Sequence, residues 1–116
     1  MVDCLDNKTK LFALRVIKLS RYLVEKRKEY ILSNQILRSG TSIGANARER
    51  KNAQSKLDFI NKLSVALKEA DETYYWLELL AGSEYIDQKM FASLEKDIKE
   101  IIALITASIN TARSNL

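Results

Sequence analysis

The 116-residue chain is 47% hydrophobic and 29% charged, with three glycines, no proline and no histidine. Such a balance is globular rather than disordered, fits a single domain, and leaves almost no chain punctuation, which reads as all-α. The ferritin-like di-iron bundles need a Glu-x-x-His motif on each of two helices, so that chemistry is excluded in its usual form, and general acid–base catalysis loses its commonest participant.

Met1 to Asp6 is too short and too acidic for a signal peptide. No run approaches the roughly 18 apolar residues that would cross a bilayer, so a soluble, cytoplasmic protein is expected. Cys4 is the only cysteine and reads as an incidental thiol near a terminus.

The first helix is predicted over about Asn7 to Lys28, where Phe12, Val16, Leu19 and Leu23, flanked by Ala13, Ile17 and Val24, repeat at helical spacing. The second begins at Leu32 or Ser33 and runs to about Ala53. Its middle, Arg38-Ser39-Gly40-Thr41-Ser42-Ile43-Gly44-Ala45-Asn46, places two glycines one turn apart. Each costs a helix interior about 0.8–1.0 kcal/mol relative to alanine, which calls for a compensating close approach by a neighbouring backbone. Glycine with serine and threonine is also turn chemistry. Ile36, Gly40, Ile43 and Ala47 nevertheless keep a helical stripe through the segment, and the glycines are expected to admit a neighbour to about 8 Å.

From Arg48 to Lys56 no strong apolar residue appears, and the chain is expected to break there; one long helix over residues 33–81 is the competing reading. Ser55-Lys56-Leu57-Asp58 resembles a capping box opening a third helix to Ala81, with Gly82 as a left-handed residue closing it. Ile60, Leu63, Leu67, Ala70, Tyr74 and Leu77 form its seam. The consecutive rings of Tyr74, Tyr75 and Trp76 fan through about 200°, so at least one must meet something other than the core. These three are candidates for an oligomer interface. Glu69-x-x-Glu72 has carboxylates at metal-binding spacing but reads as a solvated face, and no metal or cofactor is expected. Asp87 caps a fourth helix to about Arg113, carrying Phe91, Leu94, Ile98, Ile101, Ile105 and Ile109. Four stripes joined by short connections predict an antiparallel, up-down-up-down four-helix bundle.

Charge is divided unevenly along the chain. Residues 1–56 hold 13 basic against 5 acidic side chains, a balance of +8, and residues 57–116 hold 6 against 10, a balance of −4. A basic half can neutralise phosphates or meet the acidic half of another subunit. Candidate phosphate contacts are Arg48, Arg50 and Lys51 after the second helix and Lys26, Arg27 and Lys28 at the end of the first. The two clusters fall at opposite ends of the first hairpin. No helix-turn-helix, zinc-finger or RNA-recognition signature is present, so any binding is led by shape and phosphate.

The run Arg38-Ser39-Gly40-x-Ser42-Ile43-x-Ala45-Asn46-x-x-Glu49, followed by Lys56-x-Asp58-Phe59, Ala66-Leu67-Lys68-Glu69-Ala70 and Glu72-Thr73-x-Tyr75-Trp76-Leu77-Glu78-Leu79-Leu80, resembles the bacterial proteins encoded within intervening sequences of 23S ribosomal RNA genes. The resemblance implies a four-helix bundle that assembles as a homopentamer, and no established activity. A similar pentameric bundle serves diversity-generating retroelements beside a reverse transcriptase and nucleic acid. Within the motif, Arg38, Ser39, Gly40, Ser42, Ile43, Gly44, Asn46 and Glu49 are read as helix-packing positions, with Asn46 and Glu49 bonding between helices. The sequence therefore points to a non-enzymatic oligomer binding RNA or DNA; the alternative is a scaffold whose charge asymmetry serves only subunit pairing or docking of a partner protein.

Overall fold

The computed structural model describes residues 3–116 and consists of four helices: α1 (Cys4–Arg27), α2 (Ile31–Arg48), α3 (Lys56–Gly82) and α4 (Gln88–Ser114). They run up, down, up and down in a bundle 48 × 26 × 21 Å across. Asp3 caps α1 by accepting from the Asp6 backbone N–H, and so starts that helix at Cys4 rather than near Asn7, which brings Leu5 into the core. The carboxylate of Glu29 accepts from the N–H groups of Ile31 and Ser33 at the head of α2. Ser55 and Asp87 cap α3 and α4 as the sequence predicts, accepting from Asp58 N–H at 3.0 Å and Met90 N–H at 2.8 Å.

Two further boundaries differ from expectation. Helix α2 ends at Arg48 rather than near Ala53, and Glu49–Asn52 tighten into a 3-10 turn before Ala53 goes extended. With no apolar residue to bury there, nothing holds another α-helical turn against the core. Gly82 is still helical and has no left-handed backbone. The left-handed residues are instead Lys28, at φ 54° after α1, and Glu84, at φ 66° between α3 and α4.

One core runs the length of the bundle. It contains Phe12, Val16, Leu19 and Leu23 of α1, Ile36, Ile43 and Ala47 of α2, Leu63, Ala66, Leu77 and Leu80 of α3, and Leu94, Ile98, Ile101, Ile105 and Ile109 of α4. Helices adjacent in sequence pack most extensively, while α1 and α4 meet over a shorter length. Their seam is closed at the surface by Lys8 on Glu100 and by Arg15 on Asp97 and Ser93. No helix among the described residues is long and apolar enough to cross a membrane.

Candidate nucleic-acid interface

The glycine motif sets how closely the two basic helices lie. A β-carbon on Gly40 would stand 2.8 Å from both γ-carbons of Val16, and one on Gly44 would stand 2.9 Å from Thr9 Oγ1 and 3.1 Å from Thr9 Cβ. Real β-carbon contacts essentially never fall below 3.0 Å, so at both glycines α1 occupies the space that a side chain would need. Val16 and Thr9 are β-branched and stiff in a helix, which makes the fit hard to relax. Thr9 satisfies its own hydroxyl by donating to the Leu5 carbonyl at 2.8 Å.

Across the other side of α2, Ser39 and Thr73 share a buried hydroxyl pair at 2.9 Å, and Thr73 Oγ1 also reaches the Glu69 carbonyl at 2.8 Å. One hydroxyl carries one proton, so Thr73 donates to the carbonyl while accepting from Ser39. Arg38 lies between Glu69 and Glu72, so these carboxylates, spaced as a metal pair would be, are turned to a guanidinium of the same chain. Ser42 bonds the Arg38 carbonyl at 2.6 Å and Ile43 is fully buried. Two members of the motif behave otherwise than expected. Asn46 donates to the Ser42 carbonyl of its own helix at 2.8 Å, and exposed Glu49 has no side-chain partner among the described residues, so neither bonds between helices. Glu49 opens the 3-10 turn that follows α2, where its side chain is exposed.

The two predicted basic clusters are largely engaged within the chain. Arg50, with its side chain only 10% exposed, binds Asp6 at 2.9 Å, Asp3 at 2.9 Å and the Ala47 carbonyl at 2.8 Å. Lys51 also binds Asp6. Burial pushes the Asp6 carboxyl up, but the hydrogen bonds from Lys51 and Arg50 outweigh that and hold it below its ordinary value. The cluster thus ties the start of α1 to the chain's exit from α2, with its charges cancelled. At the opposite end, Arg27 donates to the carbonyls of Glu84 and Tyr85 at 3.1 and 2.8 Å and lies over the Tyr85 ring, its guanidinium carbon 5.1 Å from the centroid. Lys28 donates to the Glu25 carbonyl at 3.1 Å. Of the six predicted phosphate contacts, Lys26 and Arg48 alone have no internal partner among the described residues.

Three further cations on α1 share this freedom, as do Lys68, Lys89, Lys96 and Arg113 on α3 and α4, where acids outnumber bases. Lys10, Lys18 and Arg21 are exposed on α1 and make no ion pair or side-chain hydrogen bond among the described residues. The signal available in the sequence was their place on the α1 face opposite the Phe12 and Val16 stripe, whereas the paired Lys8, one turn before Phe12, flanks that stripe. Lys10 follows Thr9, which packs on Gly44, while Arg48 lies one helical turn beyond Gly44. The glycine seam therefore brings these two cations to the same stretch of the bundle.

The three aromatic residues separate by role. Tyr74 donates its hydroxyl to Glu95 of α4, with Lys99 Nζ 5.8 Å from the ring centre, and the bond to Glu95 raises its pKa above the ordinary phenol value. Trp76 is half-buried and donates to Glu72 at 3.4 Å. Tyr75 is 54% exposed, its ring centre 5.3 Å from that of Trp76. Exposed Leu57, Val65 and Leu79 accompany Tyr75 on the side of α3 turned away from the core. Cys4 is a free, exposed thiol.

No curated protein matches the chain. A crystal structure of a protein of unknown function from the S23 ribosomal protein family, from Bacteroides thetaiotaomicron, superimposes with a TM-score of 0.90 at 52% identity, covering 91% of this chain and 95% of that one. The model for the 23S rRNA-intervening sequence protein family matches residues 6–107. That span takes in the glycine seam, the Arg50–Asp6 junction and all but the last turns of the bundle, and the chain belongs to this family.

Proposed function

We propose that the chain is a non-enzymatic, homo-oligomeric protein of the cytoplasm that binds RNA or DNA through the basic face of its first hairpin. The observation that carries this reading is the unpaired charge: Lys10, Lys18, Arg21, Lys26 and Arg48 project from α1 and α2 without internal partners among the described residues, while Asp3 and Asp6 at the start of α1 are neutralised by Arg50 and Lys51 and Glu49 is the one exposed acid beside Arg48. Cations without internal partners gain most from a polyanion, because each phosphate they neutralise releases condensed counterions. A pentamer, which the family resemblance supports, would repeat this face around a ring and multiply weak contacts.

The competing reading is a protein scaffold, and one observation favours it. Tyr75, Leu79, Val65 and Leu57 expose apolar surface along α3, where a second subunit or another protein gains more than a phosphate chain does. The two readings separate in a salt titration with labelled RNA and duplex DNA. Binding whose logarithm falls linearly with the logarithm of salt supports the nucleic-acid reading; no binding at low salt supports the scaffold. Light scattering on the same preparation reports the mass of the assembly.

A further inference from the structure

We propose that the shallow groove over the Gly44 seam between α1 and α2 is a seat for the phosphodiester backbone, gripped from either side by Lys10 and Arg48. This inference rests on the nucleic-acid reading above and assigns it a location. A groove of about 220 Å³ is lined by Thr9, Lys10, Ala13, Thr41, Gly44, Ala45 and Arg48. Three features suit it to a sugar–phosphate chain rather than to an apolar side chain.

The first is charge. Both ionisable groups lining the groove are cations, and neither has a carboxylate partner among the described residues. The carboxylates of Asp6 and Asp3 are held by Arg50 and Lys51, and the exposed Glu49 that follows Arg48 is not among the groove's lining residues, so the lining itself carries two positive charges and no negative one. The second is depth. Gly44, Ala45 and Ala13 carry at most a methyl group, so a bulky backbone can approach the helices closely enough for both cations to reach it. The third is hydroxyl polarity. Thr9 and Thr41 spend their single protons on the Leu5 and Leu37 carbonyls, at 2.8 and 2.7 Å, so the floor donates nothing to a base edge. Recognition is then carried by Lys10 and Arg48 alone and is indifferent to sequence, as phosphate contacts are. Arg50 and Lys51 act as positioning residues: by neutralising Asp6 they keep an acid from competing for Lys10 and Arg48.

The test is fluorescence anisotropy on the full chain, with a short labelled single-stranded RNA and a duplex DNA as probes, each titrated with salt. Replacing Lys10 and Arg48 together by alanine should flatten the slope of log K against log salt by about 1.4 for the single strand or about 1.8 for the duplex. Whichever probe loses the larger share of affinity identifies the preferred source of phosphate. Ala45→Leu, an exposed helical position, should weaken binding without changing any charge by filling the groove; Ala107→Leu on exposed α4 should not. If the parent chain binds neither probe, the nucleic-acid reading fails and this site with it. If the parent binds and the double variant keeps its slope, the groove is not the seat and the broader reading stands.

Discussion

Gly40 and Val16 are in such close register that the helices leave no room for a methyl group between them: a β-carbon at position 40 meets both γ-carbons of Val16 at 2.8 Å. Alanine at this position gains about 1 kcal/mol of helix propensity and must still displace a fully buried, stiff side chain. Overpacking of this kind costs about 1–3 kcal/mol, so Gly40→Ala is expected to lower stability despite its better propensity. Val16→Ala removes the obstructing methyls at a cavity cost of its own. The double variant should therefore be more stable than the sum of the singles predicts, by about 0.5–3 kcal/mol in denaturant melts. Additive singles would mean the seam opens freely.

Asp6 makes the acid limb of the stability profile. Its folded carboxyl titrates below the ordinary 3.8, and so does that of Asp3, held down first by the Asp6 N–H and then by Arg50 against the opposing pull of burial. In the unfolded chain both revert to ordinary values and bind protons at higher pH than the folded chain does. Stability from this pair is thus complete above the unfolded pKa and is lost as pH falls through the folded one, from about pH 4 downward. Asp6→Asn should cost about 2–3 kcal/mol at neutral pH, because Arg50 stays buried with one carboxylate fewer. It should also flatten the decline below pH 4. Tryptophan fluorescence melts across pH read both effects, with Trp76 as the single reporter.

The bundle was legible because its signals are local and periodic. The Leu94, Ile98, Ile101, Ile105 and Ile109 stripe, the Ser55 and Asp87 caps, and the small-residue run at 40 to 44 each state their structural role within a few residues. The state of a surface charge is not local. Arg50 and Lys51 look like free cations until α1 returns Asp3 and Asp6 to them from more than forty positions away, and Arg27 looks free until the turn after α3 offers its carbonyls. Thr73 is similar: its place in the core depends on Ser39 lying opposite, a pairing that hydropathy does not encode. Position on a helix face can be read from a period, whereas a partner across the bundle requires the fold.

The turn between α3 and α4 has its glycine two residues from the backbone that would use it. Glu84 holds φ 66° with a side chain attached, while Gly82 sits in the helix with nothing within 4 Å of its missing β-carbon. A left-handed L-residue costs roughly 1–2 kcal/mol, and a compatible Gly→Ala change gains about 0.4–1 kcal/mol. Glu84→Gly and Gly82→Ala are therefore each expected to raise the melting temperature, and together to add. The Glu84 carbonyl that receives Arg27 is backbone and survives the exchange. A fall in melting temperature for Glu84→Gly would show that the turn owes more to that side chain than to relief of its backbone.

The exposed side of α3 supplies the test of assembly. From Leu57 to Leu79 the helix spans about 33 Å, and Leu57, Val65, Tyr75 and Leu79 recur along it on the side away from Leu63 and Leu77. A core helix needs only one apolar side; a second belongs against another surface, and Tyr75, its ring tilted against that of Trp76, is the largest anchor on it. Leu79→Glu with Tyr75→Glu places two carboxylates beside the acids Glu72 and Glu78 already on α3. Like charges brought together in a desolvated contact cost several kcal/mol, enough to break a subunit interface while leaving the exposed positions free of any folding role. Light scattering should then show a fall from oligomer to monomer with helical circular dichroism unchanged. An oligomer of undiminished mass would move the subunit contact off α3 and return these side chains to the solvent.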